Sequence, residues 1–174
     1  MKYKLTDIKR GEVEIDFSLF NLTKDLAILV DIDGTISDPS HRLHLVRETD
    51  KKDWDTFFEL DKFDKPIKEP IDFLNKVLNE HMLQDIFVFV VTARPKRTRL
   101  STKKWLEDHG IFADSIYMRD DNDYRIDYLV KEDMLKQIKM IEITPILALE
   151  DRPAIVDLYR RNGIETIQIT NGDY

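Results

Sequence analysis

Five short apolar runs, separated by stretches of helical periodicity, constrain this chain more than anything else in it. They are "LAILVD" (26–31), "IFVFVV" (86–91), "SIYM" (115–118), "PILALE" (145–150) and "ETIQIT" (165–170). The first, second and fourth do not alternate apolar with polar residues, so both faces of those strands must be covered. Between them, "PIDFLNKVLNEH" (70–81) puts Ile71, Leu74, Val77 and Leu78 on one helical face, with Pro70 at a helix start. "PKRTRLSTKKWLEDHG" (95–110) reads as a helix closed by Gly110, with Trp105 toward the core. Residues 128–140 read as a helix with Leu129, Met134, Leu135 and Ile138 inward, and "PAIVDLYRRNG" (153–163) as another. Strand alternating with helix predicts an α/β fold: a parallel, Rossmann-like sheet between two layers of helices.

One segment breaks the alternation. Residues 36–69 are rich in Asp, Lys, His and aromatics, and Trp54, Phe57, Phe58 and Leu60 have roughly helical spacing. They predict a small helical cap inserted after the first strand. Residues 1–25 form an N-terminal extension in which "EVEIDFSLF" alternates, as a strand or hairpin would. Residues 26–174 then make one domain, and 42% hydrophobic content is enough for a single core. A net charge of −7 excludes a broad basic surface for gripping duplex nucleic acid, though not a local phosphate pocket. With no cysteine there are no disulfides and no thiolate metal sites. No stretch approaches the ~20 apolar residues of a membrane span, and the N-terminus lacks a signal peptide's apolar core. A cytoplasmic protein without membrane contact is expected.

In an open parallel sheet the ligand site lies beyond the carboxyl ends of the strands. There the sequence places Asp31, Asp33, Gly34 and Thr35 after the first strand, and Thr92, Ala93 and Arg94 after the second. Glu150, Asp151 and Arg152 follow the fourth, and Lys131 lies near the start of the preceding helix. Asp31 and Asp33 repel unless positive charge stands between them. Four carboxylates around one crevice call for a divalent cation, and an oxygen-only donor set points to Mg²⁺. A cation with Lys and Arg beside it cradles a dianionic phosphoryl group. Lys136, a turn and a residue further on, competes with Lys131 for this position. "RPKRTR" (94–99) is either a solvated helix start or a positive lip to the crevice. His41, Arg42 and His44 serve either substrate or the base of the cap, and Trp54, Phe57 and Phe58 read as cap packing rather than a base-stacking platform.

"DIDGT", "VVTAR", Lys131 in "LVKEDMLKQI", and "LALEDR" resemble, in order, the four motifs of the haloacid dehalogenase-like (HAD) phosphatase superfamily. The C-terminal half, with "VDLYRRNGIE" and a terminal "GDY", is similar to the 3′-phosphatase domain of bacteriophage polynucleotide kinase-phosphatases. The resemblance implies Mg²⁺-dependent phosphomonoester hydrolysis through an aspartyl-phosphate. Asp31 is then the nucleophile and Asp33 the acid and base, with Thr92 and Lys131 on the phosphoryl group. Asp31, the Asp33 carbonyl and Asp151 hold the metal, with Glu150 in support. Gly34, Thr35, Ala93, Arg94, Arg125 and Arg152 form the substrate surroundings. The implied substrate is a nucleic acid 3′-phosphate end or a phosphorylated nucleotide, with a kinase or ligase supplied in trans, because no GxxxxGK[ST] loop is present. The cap segment is more similar to those of small stand-alone relatives than to the kinase-fused enzymes. A 5′-nucleotidase or other small-metabolite phosphatase, and a receiver-like signalling module, are the alternatives.

Overall fold

The computed structural model describes residues 25–47, 49–79 and 86–169. The expected strand or hairpin of the N-terminal extension lies outside them. Strands β1 (Leu26–Val30), β4 (Ile86–Pro95), β5 (Ser115–Arg119), β6 (Thr144–Glu150) and β7 (Glu165–Gln168) form one sheet in the order β5-β4-β1-β6-β7. Every pairing in it is parallel. The fully buried β1 sits at the centre, as its unbroken apolar run requires. Its alternate residues feed two cores. Ile28 and Val30 face one with Leu74, Trp105 and Leu106; Ala27 and Leu29 face the other with Met134, Ile138 and Tyr159.

The second strand outruns the apolar signal, because "TARP" continues β4 to Pro95, where a register shift against β5 marks its end. Its helix therefore begins later than expected, after a short 3₁₀ turn, as α4 (Arg99–Asp108), and Gly110 follows with φ 73°. The other helices on the sheet are α3 (Lys68–Asn79), α5 (Asp127–Met140) and α6 (Pro153–Arg161). Leu129 does not join the inward face of α5: it is 39% exposed. The buried stripe is Val130, Lys131, Met134, Leu135 and Ile138, and Leu129 lies about 200° around the helix from Lys131.

Residues 36–69 fold as a small irregular lobe. The pair β2 (Ser37–Asp38) and β3 (Lys65–Pro66) closes its base antiparallel, with the short helices α1 (His44–Arg47) and α2 (Trp54–Glu59) between them. Asp53 caps α2 by accepting from the Thr56 amide at 3.0 Å. Among the described residues no helix is long and apolar enough to cross a membrane.

Candidate active site

Sheet order decides which strand ends meet. β4, β1 and β6 are adjacent, so Thr92, Asp31 and the Glu150–Asp151 pair converge at one edge although they are far apart in sequence. The Asp31 amide still bonds the Leu149 carbonyl at 3.0 Å, so the carboxylate stands on the last rung of the sheet. The chain then turns sharply: the amides of Thr35, Ile36 and Ser37 all donate to the Ile32 carbonyl, at 2.9–3.1 Å. Gly34 makes this possible with φ 82°, a conformation costly to any residue with a Cβ.

Asp31 and Asp33 enter different surroundings. Lys131, buried by the inward stripe of α5, lies 2.7 Å from Asp31 Oδ1 and donates to Glu150 Oε2 at 2.7 Å. Thr35 Oγ1 donates to Asp31 Oδ2 at 3.4 Å. The second Glu150 oxygen accepts from the Arg152 amide at 3.1 Å. Asp151, fully buried, has neither carboxylate oxygen hydrogen-bonded. Burial pushes the Asp31 carboxyl up to about 7, with Lys131 opposing and Glu150 adding to the rise. Burial and the charges of Asp31 and Glu150 push Asp151 up to about 9. Burial works against the Lys131 charge, but Asp31 and Glu150 outweigh it and hold the ammonium well above its ordinary range.

Asp33 instead faces arginines. Arg94 donates to both its oxygens, Nε at 3.0 Å and Nη2 at 2.6 Å, and Arg42 of the lobe donates to Oδ1 as well. Burial would raise this carboxyl, but Arg94 and Arg42 overcome it and hold Asp33 well below the usual carboxylate range. Both guanidiniums are buried. They are shared with Asp64, which accepts from Arg42 at 2.6 and 2.8 Å and from Arg94 at 2.8 Å. Asp61 accepts from Arg94 at 3.2 Å. His41 reaches Asp64 at 2.9 Å, and the Arg42 guanidinium lies 4.0 Å over the Phe57 ring.

The remaining residues of interest divide. Thr92 is buried at the end of the sheet and its hydroxyl accepts from the Arg94 amide at 3.2 Å. The Ala93 carbonyl accepts from Arg119 Nε at 3.0 Å. Arg152 and Arg119 both grip Asp127, the first residue of α5. Arg125 pairs with Asp123 and Asp133 on the surface, and Lys136 with Glu132 and Asp133. Lys131, not Lys136, therefore reaches the crevice. Of the cations in "RPKRTR" only Arg94 is buried; Lys96 and Arg97 pair at the surface with Asp120 and Asp55. Sequence reasoning left Arg42 ambiguous, and it missed Asp61 and Asp64. Their only signal was two acids three apart in the otherwise lysine-rich "LDKFDKP".

The donor set fits a hard divalent cation. Ligand atoms of Asp31, Glu150 and Asp151 lie within 4.8 Å of one another, all from buried residues. The two unpartnered Asp151 oxygens are the ones a cation would satisfy, since both Glu150 oxygens are already engaged.

A Rossmann-like parallel sheet carrying acids beyond its first and fourth strands, with a buried lysine between them, defines a phosphoric monoester hydrolase of the HAD class. The chain belongs to the family of the polynucleotide kinase PNKP phosphatase domain, which matches residues 25–174. It is 23% identical over 149 residues to a protein of Autographa californica nuclear polyhedrosis virus assigned as a bifunctional polynucleotide kinase/RNA ligase. That match takes in 85% of this chain but only 20% of the viral protein. A chain of the Pnkp1/Rnl/Hen1 complex superposes with a TM-score of 0.67 at 25% identity, over 88% of this chain and 48% of the other. The class C acid phosphatase of Bacillus anthracis, solved with tungstate bound, shares the fold with a TM-score of 0.68 at 17% identity. It is matched over 98% of this chain and 77% of its own. The present chain thus spans about half or less of the length of the viral protein and of the chain from the Pnkp1/Rnl/Hen1 complex, and membership of a phosphatase family sets aside the signalling-module reading.

Proposed function

We propose that this chain is a Mg²⁺-dependent polynucleotide 3′-phosphatase working through an aspartyl-phosphate on Asp31. The observation that carries the chemistry is the pairing of Asp31 with buried Lys131 beside the two unpartnered oxygens of Asp151. Mg²⁺ would be held by Asp31, the backbone carbonyl of Asp33 and Asp151, with Glu150 holding Lys131 in place. When bound it supplies positive charge that lowers the carboxyl pKa values around it and draws the phosphoryl oxygens toward Asp31. An Asp31 oxygen then attacks phosphorus in line, and the bond from phosphorus to the 3′ oxygen breaks. Lys131 and the Thr92 hydroxyl bind the phosphoryl oxygens, where charge is concentrated. Asp33 delivers a proton to the departing oxygen and later takes one from the water that cleaves the acyl-phosphate. The paired arginines favour its ionised form, which suits the second role. For the first, Asp33 must loosen from Arg42 or Arg94 and pick up a proton.

Arg94 and Arg42 are positioning residues in this scheme, since their guanidiniums are consumed by Asp33, Asp61 and Asp64. Ala93 and Arg152 act through the Arg119–Asp127 contact at the start of α5, and Arg125 sits at the outer edge. The polynucleotide substrate rests on the family description and on the kinase and ligase relatives. A kinase or ligase activity would then come from another polypeptide or another segment. The test is turnover of a 3′-phosphorylated oligonucleotide against a panel of mononucleotides, with and without EDTA. Cleavage of the oligonucleotide, silenced by EDTA and restored by Mg²⁺, is the expected result. Cleavage of mononucleotides alone would replace this reading with a small-metabolite phosphatase.

A further inference from the structure

Cap helix α2 carries three aromatic rings, and only one of them packs inward. Phe57 is buried beneath Arg42. Trp54 and Phe58, at i and i+4, form the other face: their rings are 5.9 Å apart and 23° from parallel, and Trp54 is 46% exposed. Both also meet Phe57 edge-on, at 5.6 and 5.2 Å, so the stacked pair is braced from behind. A tryptophan held half in water by ordered neighbours gives up burial that a leucine-sized residue would not need.

Each of these two rings has a cation over it. Lys52 Nζ is 5.7 Å from the centre of the Trp54 ring, and the Arg97 guanidinium is 5.7 Å from that of Phe58. Asp55 fixes Arg97 there with a 2.8 Å hydrogen bond across from the lobe to the turn before α4. Nearby, Lys62 sits 5.2 Å over Phe63, which is 63% exposed. Rings interleaved with cations are how single strands are bound without reading sequence, because every base has a π face and every link a phosphate. The net charge of −7 argues against a duplex as the occupant. The place is also right. Arg42 spans from Asp33 to the Phe57 ring and donates to the Phe57 carbonyl at 3.2 Å, so the platform is one ring contact beyond the site.

We infer that Trp54 and Phe58 form a stacking platform for a base of the single strand whose phosphorylated end enters the site, with Lys52 and Arg97 on its phosphates. This rests on the polynucleotide reading above and names how the strand is held. Two experiments test it. In the first, a short 3′-phosphorylated oligonucleotide is titrated into the Asp31→Asn chain while tryptophan fluorescence is followed. The chain has two tryptophans and Trp105 is buried, so quenching reports Trp54. Saturable quenching that disappears in a Trp54→Phe background is expected. In the second, Trp54→Ala should raise KM for the oligonucleotide roughly 5- to 140-fold, leave hydrolysis of p-nitrophenyl phosphate unchanged, and be rescued by Trp54→Phe.

An unchanged oligonucleotide KM overturns the inference. So does an equal loss on p-nitrophenyl phosphate, which would make the rings mere support for Arg42. Turnover of the strand without quenching sinks the platform and leaves the phosphatase reading intact. Quenching without removal of the 3′-phosphate does the reverse.

Discussion

Asp31 and Asp33 are one residue apart in sequence, yet each is embedded in an electrostatic environment opposite to the other's. Asp31 shares one lysine with two further acids, and its carboxyl is pushed up to about 7. Asp33 is gripped by two arginines and held well below the ordinary range. Asp31 is buried and Asp33 half-buried, and desolvation works to raise both carboxyls; the sign of the surrounding charge sends them in opposite directions. The acid-rich side sets the single charge of Lys131 against three carboxylates, as befits a pocket for a cation. The arginine-rich side meets its carboxylates with two guanidiniums and ties the lobe to the sheet. Environments that push two carboxyls apart are how one site assigns distinct roles to the same functional group.

The sharpest break in this comparison comes from the two asparagine substitutions. On the proposed mechanism Asp31→Asn removes the attacking oxygen and should abolish Mg²⁺-dependent phosphate release. On the same mechanism Asp33→Asn removes the proposed proton carrier and should lower kcat about 10²- to 10⁴-fold, measured with a saturating 3′-phosphorylated oligonucleotide. A near-normal rate in either variant would dissolve the distinction between them.

Next in size are the counter-charges. Lys131→Met leaves Asp31 and Glu150 without their shared cation, and Arg94→Ala leaves Asp61 without its arginine and Asp33 and Asp64 with Arg42 as their one arginine. Each should cost about 3–5 kcal/mol in urea unfolding, the range for breaking a buried ion pair from one side. Arg94→Ala should in addition expose residues 36–69 to proteolysis, because it unties the lobe. Lys136→Ala, which removes only surface pairs, should stay within about 0.5 kcal/mol.

The acid-rich side has its own pH signature. Asp31 and Asp151 bind protons more tightly folded than unfolded, so folding stability falls as pH rises above the ordinary carboxyl range. The loss runs to about 7 for Asp31 and about 9 for Asp151. In EDTA the melting temperature should therefore drop between pH 5 and pH 9. Mg²⁺ should restore it most at the alkaline end, where the carboxylates are ionised to receive it. Asp151→Asn should flatten the EDTA profile, raise the high-pH melting temperature by about 2–4 °C for each kcal/mol of repulsion removed, and erase the Mg²⁺ response. A melting profile indifferent to both pH and Mg²⁺ would remove the contrast between the two sides. The smallest effect belongs to Arg125→Ala, whose partners Asp123 and Asp133 lie at the surface; stability should move by less than about 1 kcal/mol.

Much of this was legible in the chain because strand and helix leave periodic traces. Apolar runs named the five strands of the parallel sheet, though not the β2–β3 pair of the lobe, and the rule that sites gather beyond carboxyl ends pointed to Asp31, Thr92 and Asp151 before any coordinates. Lys131, one of three lysines on α5, was preferred to Lys136 through its place in "LVKEDMLKQI". In the docked helix the inward stripe through Met134, Leu135 and Ile138 carries Lys131 in and leaves Lys136 in water.

What the sequence determined alone is the set of elements and the chemistry at their ends, both of which are local properties. What tertiary structure decided is which charge meets which. Arg42, Asp61 and Asp64 look like ordinary polar residues of an irregular segment. They become the buried surroundings of Asp33 only when β2 and β3 close the lobe over β4 and bring Arg94 to them from some thirty residues away. Coulomb interactions depend on distance and solvent exclusion, and neither is written in the order of residues along a chain.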